Sequence, residues 1–244
     1  MIVLHGKGVS QGKATGKLIF YTPAQKHIQK ITVNNTQAEI EKLKKAKQSS
    51  LKELQQTYEK ARKIMSPKNA DIFKAHILLL ESPDFFESII NTVINDSVSA
   101  EYAVYAVAQK LMKKLDRENM TSPINDIEDV SQTLISNLAN KKFNNVIENE
   151  KVIICADNLV PSKILEFNRK NIAGFCLINS EQNLHTAIIA KSMNIPAITG
   201  ISGLTAEHMN KPAEIDGEKG ILYIEPDMNP YKYSDHTAFN SMAF

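Results

Sequence analysis

Residues 33–142 contain no glycine and read as helix after helix, while the segments on either side read as strands. A chain with this order has few ways to fold. The strands at the start need partners, and those partners lie beyond the helical block. The simplest assembly pairs residues 2–21 with the later strands and lets the helices project as an inserted subdomain, since insertion points and chain ends lie close together on domain surfaces. This predicts an α/β domain made from residues 1–32 plus 143–235, a helical subdomain over 33–142, and a tail at 236–244.

The helical block carries its own punctuation. Thr36 followed by Glu39 fits a capping box, and Ile40, Leu43, Leu51, Leu54, Tyr58, Ala61 and Met65 form one helical stripe. Ser66-Pro67 ends that helix, because a residue before proline avoids the helical region. A second helix carries Ile72, Phe73, His76, Ile77 and Leu80. Ser82-Pro83 opens a third with Phe85, Ile89, Ile90, Val93 and Ile94. A fourth has Ala103, Val104, Val107, Leu111 and Leu115, and a fifth Ile127, Val130, Leu134 and Leu138. Helices with such short links pack as a bundle. Outside the block, IVLHG and GKLIFY read as strands separated by glycine-containing turns, and VIICA, GFCLI and ILYIE as buried strands.

Bulk properties narrow the function classes. A net charge of +2, from 29 basic and 27 acidic residues, argues against a nucleic-acid binder, which would carry a basic stripe. No uncharged apolar run approaches the roughly 20 residues that span a bilayer, and the start MIVLHGKG is too short in apolar residues for a signal peptide. Cys155 and Cys176 sit in strand-like runs and read as reduced core residues, so the cytoplasm is the expected compartment. His5, His27, His208 and His236 show no ligand spacing, and no metal site is expected. The lysines at 42, 44, 45 and 47 read as a solvated face.

The most informative stretch is Asn183-Leu-His-Thr-Ala-Ile-Ile-Ala-Lys-Ser-Met-Asn-Ile-Pro-Ala-Ile-Thr-Gly200. A strand ends in a polar loop, His185 stands where a helix begins, and Pro196 leads into the next strand. Unpaired backbone N–H groups and the positive end of the helix dipole suit a group that carries phosphate. A neutral imidazole is also nucleophilic near pH 7, and phosphoryl transfer needs an in-line nucleophile with charge stabilisation. On position alone, a histidine at a helix start is more often a cap or a packed surface residue.

This stretch resembles the phosphohistidine signature of phosphoenolpyruvate-utilising enzymes, roughly Gly-Gly-x-Thr-Ser-His-x-x-x-x-Ala-Arg followed by a Pro-Ala-x-x-Gly strand. His185, Ala190, Ser192, Ile195, Pro196, Ala197 and Gly200 match the N-terminal domain of Enzyme I, the phosphoenolpyruvate-protein phosphotransferase of the bacterial sugar phosphotransferase system. Phe73-Lys-Ala-His76-Ile-Leu-Leu-Leu-Glu81, Gly8-Val-Ser-Gln-Gly12-Lys-Ala-Thr-Gly16-Lys and Ala156-Asp-Asn-Leu-Val-Pro-Ser162 are similar to further segments of that family, in the same order. The resemblance covers essentially the whole chain, including the helical insertion. It implies an α/β phosphohistidine (swivelling) domain with an inserted α-helical bundle, a phosphoryl group carried on His185, and docking of the small carrier HPr on the bundle.

On the same resemblance Thr186, Asn183 and Lys191 support the histidine. Asp71, His76, Glu81 and Asp84 form the docking face, where four acids (with Glu87) against Lys68 and Lys74 favour a basic partner. By spacing alone His76, among Phe73, Ile77 and Leu80, is a partly buried packing residue. No cofactor is expected in this chain: magnesium and phosphoenolpyruvate belong to a C-terminal barrel domain to which nothing here corresponds.

The departures are specific. Glu181-Gln182 stands where the family reads Gly-x, Asn183-Leu184 replaces Thr-Ser, Val160 replaces a threonine near the active histidine, and Lys191 replaces an arginine. Asp126-Ile-Glu-Asp129 stands where the family reads Asp-Val-Arg-Asp. A carboxylate at 181, about 7 Å from a phosphate, would repel it by roughly 0.5–2.5 kcal/mol per unit charge. Two other readings therefore stand beside phosphotransfer: an Enzyme I-like binding module that docks a carrier without turnover, and the related phosphotransfer subunit of dihydroxyacetone kinase.

Overall fold

The structure is a computed structural model, and it describes residues 1–21, 28–139, 150–157, 159–178 and 184–226. Asn183, Glu181 and Gln182, the domain boundary at 142/143 and the tail at 236–244 lie outside the described residues, as do His27 and His236.

Three strands open the chain: β1 (Ile2–His5), β2 (Lys7–Ser10) and β3 (Lys13–Tyr21). Five helices follow: α1 (Thr36–Ile64), α2 (Pro67–Glu81), α3 (Pro83–Asp96), α4 (Ala100–Arg117) and α5 (Thr121–Leu138). The remainder is β4 (Val152–Ala156), α6 (Pro161–Glu166), β5 (Ile172–Leu177), α7 (Leu184–Ser192), β6 (Ala197–Thr199), β7 (Pro212–Asp216) and β8 (Ile221–Ile224). All these strands join one sheet in the order β1-β8-β7-β3-β4-β5-β6-β2. The β3, β4, β5 and β6 neighbours run parallel, and the flanking pairs are antiparallel. The bundle thus leaves the sheet at the end of β3, and the chain returns in β4, the parallel neighbour of β3.

The glycine-containing stretch after His5 reads as turns in sequence, yet it holds a strand. A Cβ on Gly8 would lie 2.2 Å from the Gly217 carbonyl oxygen, so this glycine marks a close backbone approach. Gly12, at φ +115°, makes the turn between β2 and β3.

Two local expectations are corrected. Residues 28–32, expected with the α/β domain, lie on the bundle: Ile28 packs on the bundle core, Thr32 bridges Val98, and the Ser99 N–H donates to the Ile31 carbonyl. The capping box at Thr36 is absent: Asn35 caps α1, its side chain accepting from the Ala38 N–H at 3.0 Å. Glu39 instead accepts the Ala100 N–H at 2.9 Å, so it caps α4 and ties two helix starts together. The buried face of α1 also includes Ala46, Ser50 and Thr57, whose small size lets neighbouring helices approach. Ser50 accepts a hydrogen bond from Asn137 of α5.

Three apolar clusters organise the core. The bundle has one of its own, around Leu43, Leu54, Leu80, Ile89, Val104 and Leu134. One sheet face buries Leu18, Ile153, Ile198, Ile215 and Leu222 together with Cys155 and Cys176, free thiols that face each other in register on β4 and β5. The third cluster joins Ala61, Met65, Ala70 and Phe73 of α1 and α2 to Ile154, Leu159, Phe175, Leu177 and Ile189. Through it the base of the bundle packs on the α/β layer. Fully burying side chains of this kind is worth roughly 1.5–3 kcal/mol each, so this contact favours the seated arrangement of bundle and sheet layer. Among the described residues no helix is long and apolar enough to cross a membrane.

Candidate functional site

In open α/β sheets ligands bind outside the carboxyl ends of the parallel strands. Here the β4 end leads into Leu159, Val160 and α6, and the segment after β5 leads into α7. The bundle covers this edge with α2 and α5. His185, the second residue of α7, lies in the seam.

Its ring is more enclosed than a helix-start position suggests, with 12% of the side chain exposed. Nδ1 is buried and makes no hydrogen bond, and it lies 3.9 Å from the Asp126 carboxylate of α5. Burial pushes the His185 pKa down and a charge on His76 adds to that, against the pull of Asp126 and Asp129. The ring is therefore neutral near pH 7, the state in which imidazole is a nucleophile.

His76 of α2 also reaches Asp126. It is fully buried, its Nε2 lies 3.0 Å from Asp126 Oδ1, and its Nδ1 lies 3.5 Å from Asp129. Burial opposes a charge on this ring, but the Asp129 carboxylate and the hydrogen bond to Asp126 outweigh it and raise the pKa. The Phe73 ring meets His76 edge-on at 5.7 Å between centroids. Asp129 in turn accepts hydrogen bonds from the Ser162 backbone N–H at 2.9 Å and the Ser162 hydroxyl at 2.5 Å. A bundle carboxylate thus caps the first turn of α6.

The structure brings only part of the predicted site together. Thr186 is beside His185, but its buried hydroxyl donates to the Leu159 carbonyl at 2.5 Å, which pins α7 to the loop after β4. It is not a free donor for a phosphate. Lys191 is exposed in the last turn of α7, about 9 Å along the axis from His185, beside Gly8–Gln11 and the Gly217–Glu218 turn. It does not share the histidine's seam. Asp71, Glu81 and Asp84 are exposed on α2 and α3 as a docking face requires, whereas His76 is sealed beneath that face and cannot contact a partner directly. Val160 is buried at the start of α6 and offers no hydroxyl.

Sequence reasoning missed Asp126, Asp129 and Ser162 as members of the site. The available signal was the spacing of Asp126 and Asp129, which places both on one helix face. It also missed a second polar bridge between bundle and sheet layer. Lys163 of α6 lies 2.6 Å from Glu166 and 3.4 Å from Glu53 of α1, and Asn137 donates to Glu53 at 2.9 Å. Leu78 was hidden inside an apolar run, yet it is 59% exposed on the α2 face that carries Asp71 and Glu81. Among the described residues no group of three or more His, Cys, Asp or Glu side chains could hold a metal ion.

Comparison with known proteins agrees on one family. The family model for the N-terminal part of PEP-utilising enzymes matches residues 5–121, and that for their mobile domain matches 148–220. The phosphoenolpyruvate-protein phosphotransferase of Priestia megaterium is 31% identical over 94% of this chain and 41% of its own length. That of Bacillus subtilis (strain 168) is 30% identical over the same shares. The chain thus spans about two fifths of the length of these curated relatives. A solution NMR structure of an Enzyme I protein (nEIt) superposes with a TM-score of 0.72 at 30% identity, covering 94% of this chain and 95% of that one. An N-terminal domain of a nitrogen-type Enzyme I, at 18% identity, shares the fold with a TM-score of 0.68.

Proposed function

Since the chain belongs to the PEP-utilising enzymes, as a member of the Enzyme I N-terminal domain family, we propose that it carries a phosphoryl group on His185 and exchanges it with a small phosphocarrier protein of the HPr kind. The observation that carries this reading is the state of His185: a neutral ring in the first turn of α7, with Nδ1 sealed against the bundle. Nε2 is then the nitrogen left to react. Its lone pair forms the new P–N bond as the bond to the donor's histidine breaks and returns its electrons to the donor ring. The first-turn N–H groups and dipole of α7 favour the added negative charge.

Because so little of the ring is exposed, transfer requires it to turn outward or the seam to open. The exposed face of α2 and α3 around Asp71, Leu78, Glu81 and Asp84 is the carrier's docking surface, an exposed leucine in company with exposed carboxylates. Binding of magnesium and use of phosphoenolpyruvate belong, on this reading, to the part of the longer relatives that this chain does not span. A carrier system of this kind works in the cytoplasm.

The test is to mix the protein with phosphorylated HPr and locate any acid-labile phosphate by mass spectrometry under alkaline conditions. Phosphate on His185, and none taken up by His185→Ala, is the expected result. Phosphate on His76, or undiminished uptake by His185→Ala, would defeat the assignment. HPr bound without any transfer would establish a docking module instead, the reading that the replacements at Glu181–Leu184 and Val160 favour.

A further inference from the structure

We propose that Asp126 is the positioning residue of His185: its carboxylate receives the Nδ1–H of the ring, fixes the tautomer that leaves Nε2 free, and balances the charge of the phosphorylated ring. The proposal rests on the reading of His185 as the phosphoryl carrier. Its foundation is geometric. A buried imidazole nitrogen without a hydrogen bond is costly and uncommon, and His185 Nδ1 is one. The carboxylate oxygen 3.9 Å away is too distant for a hydrogen bond but within reach of a shift of about 1 Å. That same oxygen is also held by His76 Nε2 at 3.0 Å, and Asp129, locked by Ser162, lies beside the other His76 nitrogen. The chain His185–Asp126–His76–Asp129 therefore runs from the reacting ring into the base of the bundle. Val160 supplies no hydroxyl, which leaves Asp126 as the group that these residues direct at Nδ1.

The chemistry follows from the charge balance. Attack by Nε2 on phosphorus needs the proton on Nδ1, since the lone pair must be on the attacking nitrogen. When the P–N bond forms and the donor's N–P bond breaks, the Nδ1 proton stays in place and the His185 ring becomes an imidazolium. A carboxylate beside Nδ1–H then makes a charge-assisted hydrogen bond, stronger than the one it makes to the neutral ring. In the reverse direction the ring loses the phosphoryl group and the pull on Asp126 relaxes. A carboxylate that orients a histidine and stabilises its cation is a recurring device in hydrolases and metal sites. Here the device spans two subdomains, so seating the bundle on the sheet layer and preparing the histidine are one event.

The test uses the intact chain with ¹⁵N-labelled histidine. In the wild type, nitrogen shifts should place the His185 proton on Nδ1. Asp126→Ala should lose that preference, and its labelling rate by phosphorylated HPr should fall about tenfold or more, with HPr affinity unchanged. Asp126→Asn keeps the shape and an acceptor oxygen, so it should retain the tautomer yet still label slowly, which also covers the case in which the alanine variant fails to fold. His185 shifts that do not respond to Asp126→Ala in a folded protein, or labelling within twofold of wild type, would overturn the proposal. If the wild type takes no phosphate while its tautomer still depends on Asp126, the carrier reading falls and the positioning role stands.

Discussion

Asp129 of α5 accepts both the backbone N–H and the hydroxyl of Ser162, at 2.9 and 2.5 Å, so a carboxylate of the helical bundle caps a helix of the sheet layer. Both residues are fully buried. Replacing Asp129 with alanine leaves two Ser162 donors without an acceptor and removes the carboxylate beside His76. The expected loss is about 3–5 kcal/mol of unfolding free energy, read by urea denaturation. Asp129→Asn, which keeps one acceptor, should lose less. A midpoint for Asp129→Ala within experimental error of wild type would mean that this cap contributes nothing.

The second bridge makes the seam sensitive to pH. Burial pushes Glu166 up to about 7 from its ordinary 4.5, and Glu53 adds to the rise against the attraction of Lys163. Between these values the folded protein holds a proton that the unfolded chain releases. Stability from this group is therefore lost as pH rises from about 4.5 to 7, and it levels off above that range. After a discount for partial exposure the loss is about 1–2 kcal/mol. His76, raised as well, acts in the same direction, and His185, lowered, acts in the opposite one. Comparison with Glu166→Gln isolates the carboxyl: the wild type should lose more thermal stability than the variant between pH 5 and 8. Parallel curves would contradict the assignment.

Much of this arrangement was legible in the residues. Proline and serine pairs marked the helix joins, strand-like runs marked the sheet, and the segment around His185 carried a family signature. What escaped had a physical reason in each case. Glu39 caps a helix 61 residues away in sequence, so local spacing pointed to the wrong partner. Gly8 looks like a turn glycine because sequence does not show that Gly217 will lie against it. His76 suggested a docking residue through resemblance, but its neighbours Asp126 and Asp129 come from another helix and draw it inward. The site depends on contacts between the bundle and the sheet layer, and such contacts leave little trace in either segment alone.

The docking face makes a separable prediction. Leu78 is exposed on α2, as are Asp71 and Glu81 of that helix and Asp84 at the start of α3. Apolar centres carry most of the affinity of an interface, and rim charges chiefly set association rate and salt dependence. Leu78→Ala should therefore weaken HPr binding by about 1–2 kcal/mol, mainly through faster dissociation. Asp84→Lys should slow association at low salt and lose its effect as ionic strength screens the rim. Surface plasmon resonance across a salt series separates the two. Equal, salt-independent losses for both variants would place the partner elsewhere.

The last prediction concerns the pH range over which His185 works. Burial, with a charge on His76, holds its pKa below the ordinary 6.5, while Asp126 and Asp129 pull the other way without prevailing. A histidine with a lowered pKa stays neutral, and so nucleophilic, further into acid than a free imidazole does. The midpoint of the fall in phosphate uptake towards acid should accordingly lie below pH 6.5. A small donor such as phosphoramidate keeps the carrier's own histidine out of the profile. Asp126→Asn removes one of the two carboxylates that favour the charged ring, so it should move the fall to still lower pH even as it slows the reaction. His76→Gln removes a positive charge and should move it upward. A wild-type midpoint at or above 7 would show that the carboxylates outweigh burial, and that the ring rests as an imidazolium rather than as the neutral nucleophile.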